Sequence, residues 1–329
     1  MRFFNSRHRR ILAGGTLLMF FTMLVSCQKE LVRWPYYLQT HYKVIFDWTD
    51  APKANPSVMS FIAYPKGGGQ GVEFGFTKKT GGEIDLAAGE YQSLAFNSDT
   101  ENLLNRGDSW DAFEIYTPET TLTKYSKLFS ASRSVPRGAG SESEPVVEEP
   151  DMLWTGSAAE MPPAGNNEME TATLLMQPSV FTYRFVITNV ANLEFVTDIM
   201  ATLSGMSESM FPSTGKPSDT HCIIPVSVKG DGKQTITCTV RSFGHCPQQE
   251  IASHHLVVYA RLSDGSKWYY DFDVTGELHG SAQTEIDEDG NVLIVINLDE
   301  LPFPTPISSD SGLHPNVEDW NEVNVDIKL

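Results

Sequence analysis

Cys27 is the residue whose surroundings point most directly to chemistry, because a thiol at this kind of position is a site of acylation. A cationic head rich in arginine precedes an apolar run over residues 11–25, and Ser26 separates that run from Cys27. This is the layout of a secretory signal peptide. The run, at about 15 residues, is shorter than the roughly 20 that span a bilayer as a helix. Residues 1–26 are therefore predicted to be removed on export.

The tetrapeptide Leu24-Val25-Ser26-Cys27 resembles a bacterial lipobox, in which the cysteine is acylated and becomes the first residue of the mature chain. An ordinary secretory signal with a chance cysteine is the alternative. Lipidation, for example with palmitate, would anchor Cys27 in outer-membrane lipid, since each buried methylene contributes about 0.8 kcal/mol. Residues 27–39 would then form a tether. Within the tether, Gln28-Lys29-Glu30 resembles a tag that directs such proteins to the cell surface.

Three further cysteines, Cys222, Cys238 and Cys246, raise the question of a disulfide. An exported protein can form disulfides, but three cysteines leave one unpaired. Cys222 and Cys238 flank a predicted hairpin that turns at residues 230–232, so a disulfide between them is the most favoured pairing. Free buried thiols are the alternative.

Histidines next to these cysteines raise the question of zinc, which binds imidazole and thiolate. His221-Cys222 and His245-Cys246 each lie in or beside a predicted strand. Adjacent strand residues point to opposite faces, so each pair offers only one ligand. His254-His255 precedes a strand and is predicted to lie at the surface. We therefore expect no metal site.

Other familiar chemical motifs do not fit the pattern. The acidic run 287–291 lies between predicted strands and lacks the terminal glutamate of a calcium loop, so turn formation explains it better. The glycines at 67–71 precede a strand rather than a helix, which disfavours a phosphate site. G-x-S-x-G and H-E-x-x-H are absent. The expected protein has no catalytic residues and no cofactor.

The charge balance excludes nucleic acid as a partner. The chain carries 42 acidic and 24 basic residues, a net charge of −18, and no basic cluster with interleaved aromatics. Nucleic-acid binding depends on cationic contacts to phosphates. Solubility at a crowded surface is the simplest explanation of the acidity.

The elements that position these residues are predicted to be almost entirely strands. Residues 42–48 and 181–187 alternate polar and apolar side chains, as half-buried strands do. Ser263-Asp264-Gly265-Ser266 and the acidic run 287–291 are predicted hairpin turns. Short runs of this kind, separated by Gly and Pro, indicate β-sandwiches or barrels.

Length and composition divide this all-β chain into two tandem β-sandwiches. The N-terminal sandwich is predicted over residues 40–160 and the C-terminal sandwich over residues 171–329, with a polar linker at 161–170. Residues 133–150, rich in Ser, Gly, Glu and Pro, are predicted to form a long exposed loop within the first sandwich.

Aromatic side chains offer a possible sugar-binding platform. Trp268 and Tyr270 share one face of a predicted strand and Tyr269 takes the other, while Trp110 and Trp154 lie earlier in the chain. At least one face of the strand must be core, so packing is favoured over stacking on a sugar.

Three local strings, residues 150–154, 197–206 and 320–329, carry a family resemblance. With the lipobox and the two β-rich halves, they resemble an uncharacterised group of Bacteroidales lipoproteins related to FimB-type fimbrial anchor and minor-subunit (fimbrillin-like) proteins. The resemblance implies two transthyretin-like Greek-key sandwiches in an outer-membrane protein that starts, terminates or decorates a pilus. It also implies that fimbrial subunits are partners through strand addition, in which a groove accepts a donated strand. Only Cys27 is carried over as a functional position.

These observations predict a lipid-anchored, surface-exposed protein without catalysis. Its role would be that of a fimbrial anchor, minor or tip subunit in assembly or adhesion. The alternative is a surface carbohydrate-binding lipoprotein of a glycan-uptake system, and a host protein is a further partner to consider. An accessory enzyme or inhibitor is a third alternative, which would require a deep polar pocket.

Overall fold

The computed structural model describes residues 39–129, 134–163, 169–246, 253–280, 283–287, 289–307 and 319–322. The predicted signal peptide, Cys27, nearly all of the tether and the predicted strand at 323–327 lie outside these ranges. Within the described ranges, no helix is both long and apolar enough to cross a membrane.

Two sheets form the N-terminal part of the fold. The three-stranded sheet has the order β4-β1-β9, and the five-stranded sheet has the order β10-β8-β5-β2-β3. Their strands are β1 (Gln39–Asp47), β2 (Met59–Pro65), β3 (Val72–Phe76), β4 (Gly81–Ala87), β5 (Tyr91–Asn97), β8 (Trp154–Ala158), β9 (Glu170–Leu175) and β10 (Gln177–Pro178).

The core between these sheets follows from the alternation of apolar residues. Tyr42, Val44 and Phe46 of β1 are buried, whereas Lys43 is exposed and Ile45 is partly exposed, which confirms the predicted half-buried strand. They join one cluster with Phe61 of β2 and Leu174 of β9. Side chains two apart on a strand share a face, so both sheets direct one face into this core.

Strand β9 lies in a different sheet from the one expected. The sequence assigns residues 171–176 to the C-terminal sandwich, whereas β9 pairs in parallel with β1, with Ala172 opposite Val44. Alternating burial within β9 predicts a strand but does not specify its partner, which lies far earlier in the chain. The N-terminal sheets therefore extend past the predicted linker as far as Pro178.

The C-terminal part is built on one nine-stranded sheet with the order β19-β20-β11-β16-β15-β12-β17-β18-β21. Its strands are β11 (Phe181–Ala191), β12 (Val196–Ser207), β15 (His221–Gly230), β16 (Ile236–Ser242), β17 (His255–Leu262), β18 (Lys267–Asp273), β19 (Gln283–Ile286), β20 (Val292–Pro302) and β21 (Trp320–Glu322). The predicted hairpins β17–β18 and β19–β20 are confirmed by their pairing across residues 263–266 and 287–291.

Strand β15 joins the two halves of this sheet. Its first half pairs with β12, where Ile224 lies opposite Leu203, and its second half pairs with β16, where Val228 lies opposite Cys238. Side chains from both halves, among them Phe185 of β11 and Val258 of β17, meet in one buried cluster. The sheet therefore encloses its own core in a sandwich-like arrangement.

A small four-stranded sheet connects the two parts. It consists of β6 (Leu104–Arg106), β7 (Glu114–Tyr116), β13 (Ser209–Phe211) and β14 (Lys216–Pro217), in the order β14-β13-β7-β6. Arg106 donates to Glu114 over 2.9 Å, and the Ser209 hydroxyl donates to the same buried carboxylate. Glu114 thus ties the two parts together with charge-assisted hydrogen bonds.

The described part of the predicted loop, residues 134–150, contains no strand but is not exposed along its length. Val146 and Val147 are buried, and the Val147 amide donates to the Ile223 carbonyl over 3.0 Å. Arg137 donates to the Glu144 carbonyl over 2.6 Å. The few apolar side chains of this polar segment find partners in the C-terminal part, which the composition alone does not show.

The described secondary structure confirms the all-β class. The helical elements are short: helix α1 (Leu122–Tyr125), helix α2 (Thr275–His279), and 3-10 turns at Lys127–Phe129 and Leu193–Phe195.

Candidate functional site

A cleft of about 730 Å³, here called the central cleft, lies between the β13–β14 hairpin and the strands β11 and β20. Elements from several parts of the C-terminal fold line it, among them Phe181 and Tyr183 of β11, Met210 and Lys216 of the β13–β14 hairpin, and Ile294 of β20. Its walls are mainly apolar, with a few polar groups. This volume and this composition are typical of sites that bind a ligand or a short peptide segment.

Strand β19 forms one border of the central cleft and one edge of the nine-stranded sheet. Thr284 of β19 lines the cleft. All four β19 residues are exposed, and the Ile286 side chain is 64% exposed. Among the described residues, β19 pairs with β20 on one side and with no strand on the other. Such an edge presents unpaired backbone groups to an incoming strand.

Three histidines meet beside the cleft. His245 lines the cleft, His254 is fully buried just before β17, and His279 ends helix α2. One ring nitrogen from each lies within 4.8 Å of those of the other two. The Nε2 atoms of His254 and His279 are 2.8 Å apart. We call these three residues the histidine cluster.

A distortion of β12 makes room for the histidine cluster. The pairing of β12 with β15 shifts between Leu203 and Met206, which is a β-bulge. Gly205 in this bulge has φ +74°, and a Cβ atom there would lie 2.6 Å from His254 Nδ1. Only glycine combines this backbone conformation with this close approach.

Burial sets the protonation of two of these histidines. It lowers the pKa of His254 to about 4, with a smaller contribution from the neighbouring imidazoles. Burial also lowers the pKa of His279, with a further contribution from His245. Both effects disfavour the charged ring. His254 is therefore a neutral imidazole at neutral pH.

The other adjacent histidine, His255, has a different environment. The sequence predicts His254-His255 at the surface, but both side chains are buried. His255 lies 2.7 Å from the Asp271 carboxylate, and this bond raises its pKa. The surface prediction is wrong. The two histidines are polar residues at the start of β17, but the bulge in β12 and helix α2 cover them.

The predicted Cys222–Cys238 disulfide is not present, and Cys222, Cys238 and Cys246 are buried residues in the thiol form. Cys238 lies opposite Val228, which is about 20 Å along β15 from Cys222 at roughly 3.3 Å per residue. A disulfide requires Cα atoms within about 7 Å. The two thiols flank the same hairpin, but its register separates them. Cys27, the predicted lipidation site, lies outside the described residues.

The aromatic residues do not gather on one exposed face. Trp268 and Tyr270 share a strand face, as predicted, and both pack against the C-terminal core. Trp110, Trp154 and Tyr269 pack against three other hydrophobic clusters. These five side chains therefore form no common stacking platform.

The acidic run at 287–291 acts as a turn in its described part. The Asn291 amide donates to the Asp287 carboxylate over 2.7 Å, and Gly290 has φ +86°. These contacts explain the acidic residue at 287 through turn geometry.

Comparison in sequence finds two relationships. A family model described as a domain of unknown function, DUF5119, matches residues 26–227. A Bacteroides ovatus protein provisionally named fimbrium anchoring subunit Fim4B is 24% identical over 234 residues, which cover 70% of this chain and 64% of the relative. The match thus spans less than two thirds of the length of that relative.

Comparison in structure finds the same fold in solved proteins of Bacteroides, among them the following two. One is provisionally named an adhesin, from Bacteroides ovatus, with a TM-score of 0.60, 20% identity, and coverage of 82% of this chain and 95% of that one. The other is provisionally named a polysaccharide binding protein, from Bacteroides thetaiotaomicron, with a TM-score of 0.50, 11% identity, and coverage of 79% and 90%. The resemblance to a Bacteroidales group related to fimbrial anchor proteins is thus confirmed, and the chain belongs to the DUF5119 family.

Proposed function

We propose that this protein is a lipid-anchored protein of the outer membrane that acts as a fimbrial anchor, minor or tip subunit in assembly or adhesion. The observation that carries the proposal is the sequence similarity to fimbrium anchoring subunit Fim4B over 70% of the chain. The fold shared with an adhesin over 95% of that protein supports it. In this role the chain binds other subunits and catalyses no reaction.

The membrane attachment would come from acylation of Cys27 after removal of residues 1–26. Residues 27–39 would then separate the folded body, which begins at β1, from the lipid. The excess of acidic over basic residues, 42 against 24 in the whole chain, favours a body that stays in solution above the membrane rather than one held against phosphate headgroups. The folded body would be presented on the outer face of the cell.

The contact with a fimbrial subunit would form by strand addition at β19. Its outer edge is unpaired among the described residues, and the apolar central cleft lies directly beside it. Backbone hydrogen bonds to the β19 edge would supply affinity, and side chains of the donated strand would enter the cleft and set the register. The other side of β19 is held by antiparallel pairing with β20, which keeps the edge extended.

A pair of edge substitutions tests this contact. Ile286→Lys places a charge on the exposed edge of β19, where lysine blocks strand pairing. Val72→Lys makes the same change on the exposed edge strand β3, where the Val72 side chain is 45% exposed. Capture of fimbrial subunits from the native host is expected to fall with Ile286→Lys and to remain at the wild-type level with Val72→Lys. Equal capture by both variants would reject β19 as the contact.

A glycan ligand is the second candidate, and the size of the central cleft favours it. A volume of about 730 Å³ accommodates a few sugar units, and one fold relative is named a polysaccharide binding protein. The dispersed positions of Trp110, Trp154 and Trp268 weigh against stacking on a sugar. Quenching of tryptophan fluorescence by a panel of glycans would distinguish the two, since strong saturable quenching supports the glycan role.

A further inference from the structure

We propose that His245, His254 and His279 bind a divalent transition metal ion, for which Zn²⁺ is the best fit to the donor set. One ring nitrogen of each lies within 4.8 Å of those of the other two. Zn²⁺ is bound by three histidines and a water at bond lengths of about 2.0–2.1 Å, which places the nitrogens about 3.3 Å apart. The three rings therefore need only small side-chain shifts to close on an ion.

His254 is already oriented as a ligand. Its Nδ1–H donates to the Ser204 carbonyl over 3.3 Å, which leaves the Nε2 lone pair directed towards His279. Metal-bound histidines typically donate their second ring N–H to a carbonyl or carboxylate in this way. His245 has a similar contact, since its Nδ1 lies 3.3 Å from the Cys246 carbonyl.

Metal binding would replace one hydrogen bond and change the tautomer of His279. Without an ion, the Nε2–H of His279 donates to the Nε2 lone pair of His254 over 2.8 Å. When the ion binds, the proton of His279 moves from Nε2 to Nδ1 by exchange with solvent, so the ring stays neutral and both Nε2 atoms donate their lone pairs to the metal. No change of oxidation state is involved.

Three separate segments are fixed around the site. His245 forms a β-bridge with Met206 at the end of β12. The backbone amide of His254 donates to the Thr275 hydroxyl over 2.8 Å, which ties this residue to the start of the helix that ends at His279. The bulge at Gly205 admits the His254 ring. This arrangement holds the ligands before an ion arrives, and the central cleft at His245 provides a route of entry.

A hydrogen-bonded histidine pair without a metal would involve only His254 and His279. The third ring is as close, because the centroid of His245 lies 4.7 Å from that of His279 and 5.8 Å from that of His254. The metal site requires all three rings, whereas the pair requires two. This difference makes His245 the informative residue.

The test uses the full chain, purified in detergent and stripped of metal with a chelator. Calorimetric titration with Zn²⁺ measures stoichiometry and affinity, and titration with Co²⁺ gives visible absorption that reports coordination number. His245→Gln and His279→Gln remove ligands that are only partly buried, so each variant keeps the core intact. His41→Gln is the matched control, because His41 lies in β1, outside the histidine cluster, and its side chain is 60% exposed.

We expect wild type and His41→Gln to bind one equivalent of Zn²⁺ and to give the Co²⁺ spectrum of a four-coordinate site. His245→Gln and His279→Gln are each expected to bind more than about tenfold more weakly, since loss of an outer partner alone costs that much. Failure of wild type to bind one equivalent would overturn the proposal, as would wild-type affinity in either ligand variant. The metal site is inferred from the three rings and not from the fimbrial role, so either proposal can fail without the other.

Discussion

Gly205 and His254 are in such close contact that no other residue fits at position 205. A Cβ atom there would lie 2.6 Å from His254 Nδ1 and 2.6 Å from the Ser253 carbonyl oxygen, and the backbone φ is +74°. The β-bulge, the glycine and the buried imidazole therefore form one unit. This unit lies at the start of β17 and holds the His254 ring beside His279.

Gly205→Ala is expected to lower the free energy of unfolding by about 2–4 kcal/mol, from overpacking and from the left-handed backbone conformation together. Gly232→Ala is the control, because Gly232 has a similar φ of +72° and no atom lies within 4 Å of the point that a Cβ atom would occupy. It is expected to cost about 1 kcal/mol through the backbone alone. Urea denaturation measures both. Equal losses would show that the contact with His254 contributes nothing.

Glu144 is expected to make stability depend on pH. Its carboxylate accepts the Gly205 amide over 3.0 Å, yet burial raises its pKa to about 7 from the usual 4.5. Arg137 and His255 oppose this rise and Glu142 adds to it. The folded state binds this proton more tightly than the unfolded chain, so its contribution is present at low pH and falls as pH rises from about 4.5 to about 7.

Glu144→Gln is therefore expected to gain stability relative to wild type as pH rises through that window. Urea denaturation at several pH values within it measures the difference between the two proteins. Glu90→Gln, at an exposed side chain in the N-terminal part of the fold, is the control for the loss of one carboxylate. A difference between Glu144→Gln and wild type that stays constant with pH would contradict the raised pKa.

The three C-terminal thiols are expected to react fully once the chain is unfolded. Burial raises the pKa of Cys238 to about 12 and raises that of Cys222 well above its usual value, which makes both unreactive in the folded protein. After unfolding without a reductant, alkylation followed by peptide mass spectrometry should label Cys222, Cys238 and Cys246. Protection of Cys222 and Cys238 until a reductant is added would show that the disulfide forms after all.

Local patterns in the sequence predict most strands and turns of this fold. Tyr42, Val44 and Phe46 lie two residues apart on β1 and are buried together. Asp264-Gly265 forms the hairpin turn that its residue types favour. Strand pairing over long distances is not predictable in this way. Nothing in residues 170–175 identifies β1 as their partner, because both strands carry the same alternation.

The histidine cluster shows the same limit at the level of a site. Only adjacent His-Cys and His-His pairs stand out in the sequence, whereas His245, His254 and His279 lie at irregular spacings in three segments. The available signal was Gly205 inside a run of strand-forming residues, since such a glycine often marks a bulge or a close approach. That signal locates the distortion but not the ring that fills it.

Acylation of the amino end is expected to depend on one thiol. Radiolabelled palmitate fed to cells should label the wild-type chain and should not label Cys27→Ser. Cys246→Ser, which removes a buried thiol elsewhere, is the control and should keep the label. Equal labelling of wild type and Cys27→Ser would rule out lipidation at this residue and leave an ordinary secretory signal.

A photo-crosslinking amino acid at position 286, introduced in the native host, tests whether a fimbrial strand adds to β19. We predict that the crosslinked partner, identified by mass spectrometry, is a fimbrial subunit joined through an extended segment. The same crosslinker at position 72 on β3 should capture no such subunit. If position 286 yields no fimbrial partner, or if position 72 yields the same one, strand addition at β19 is contradicted.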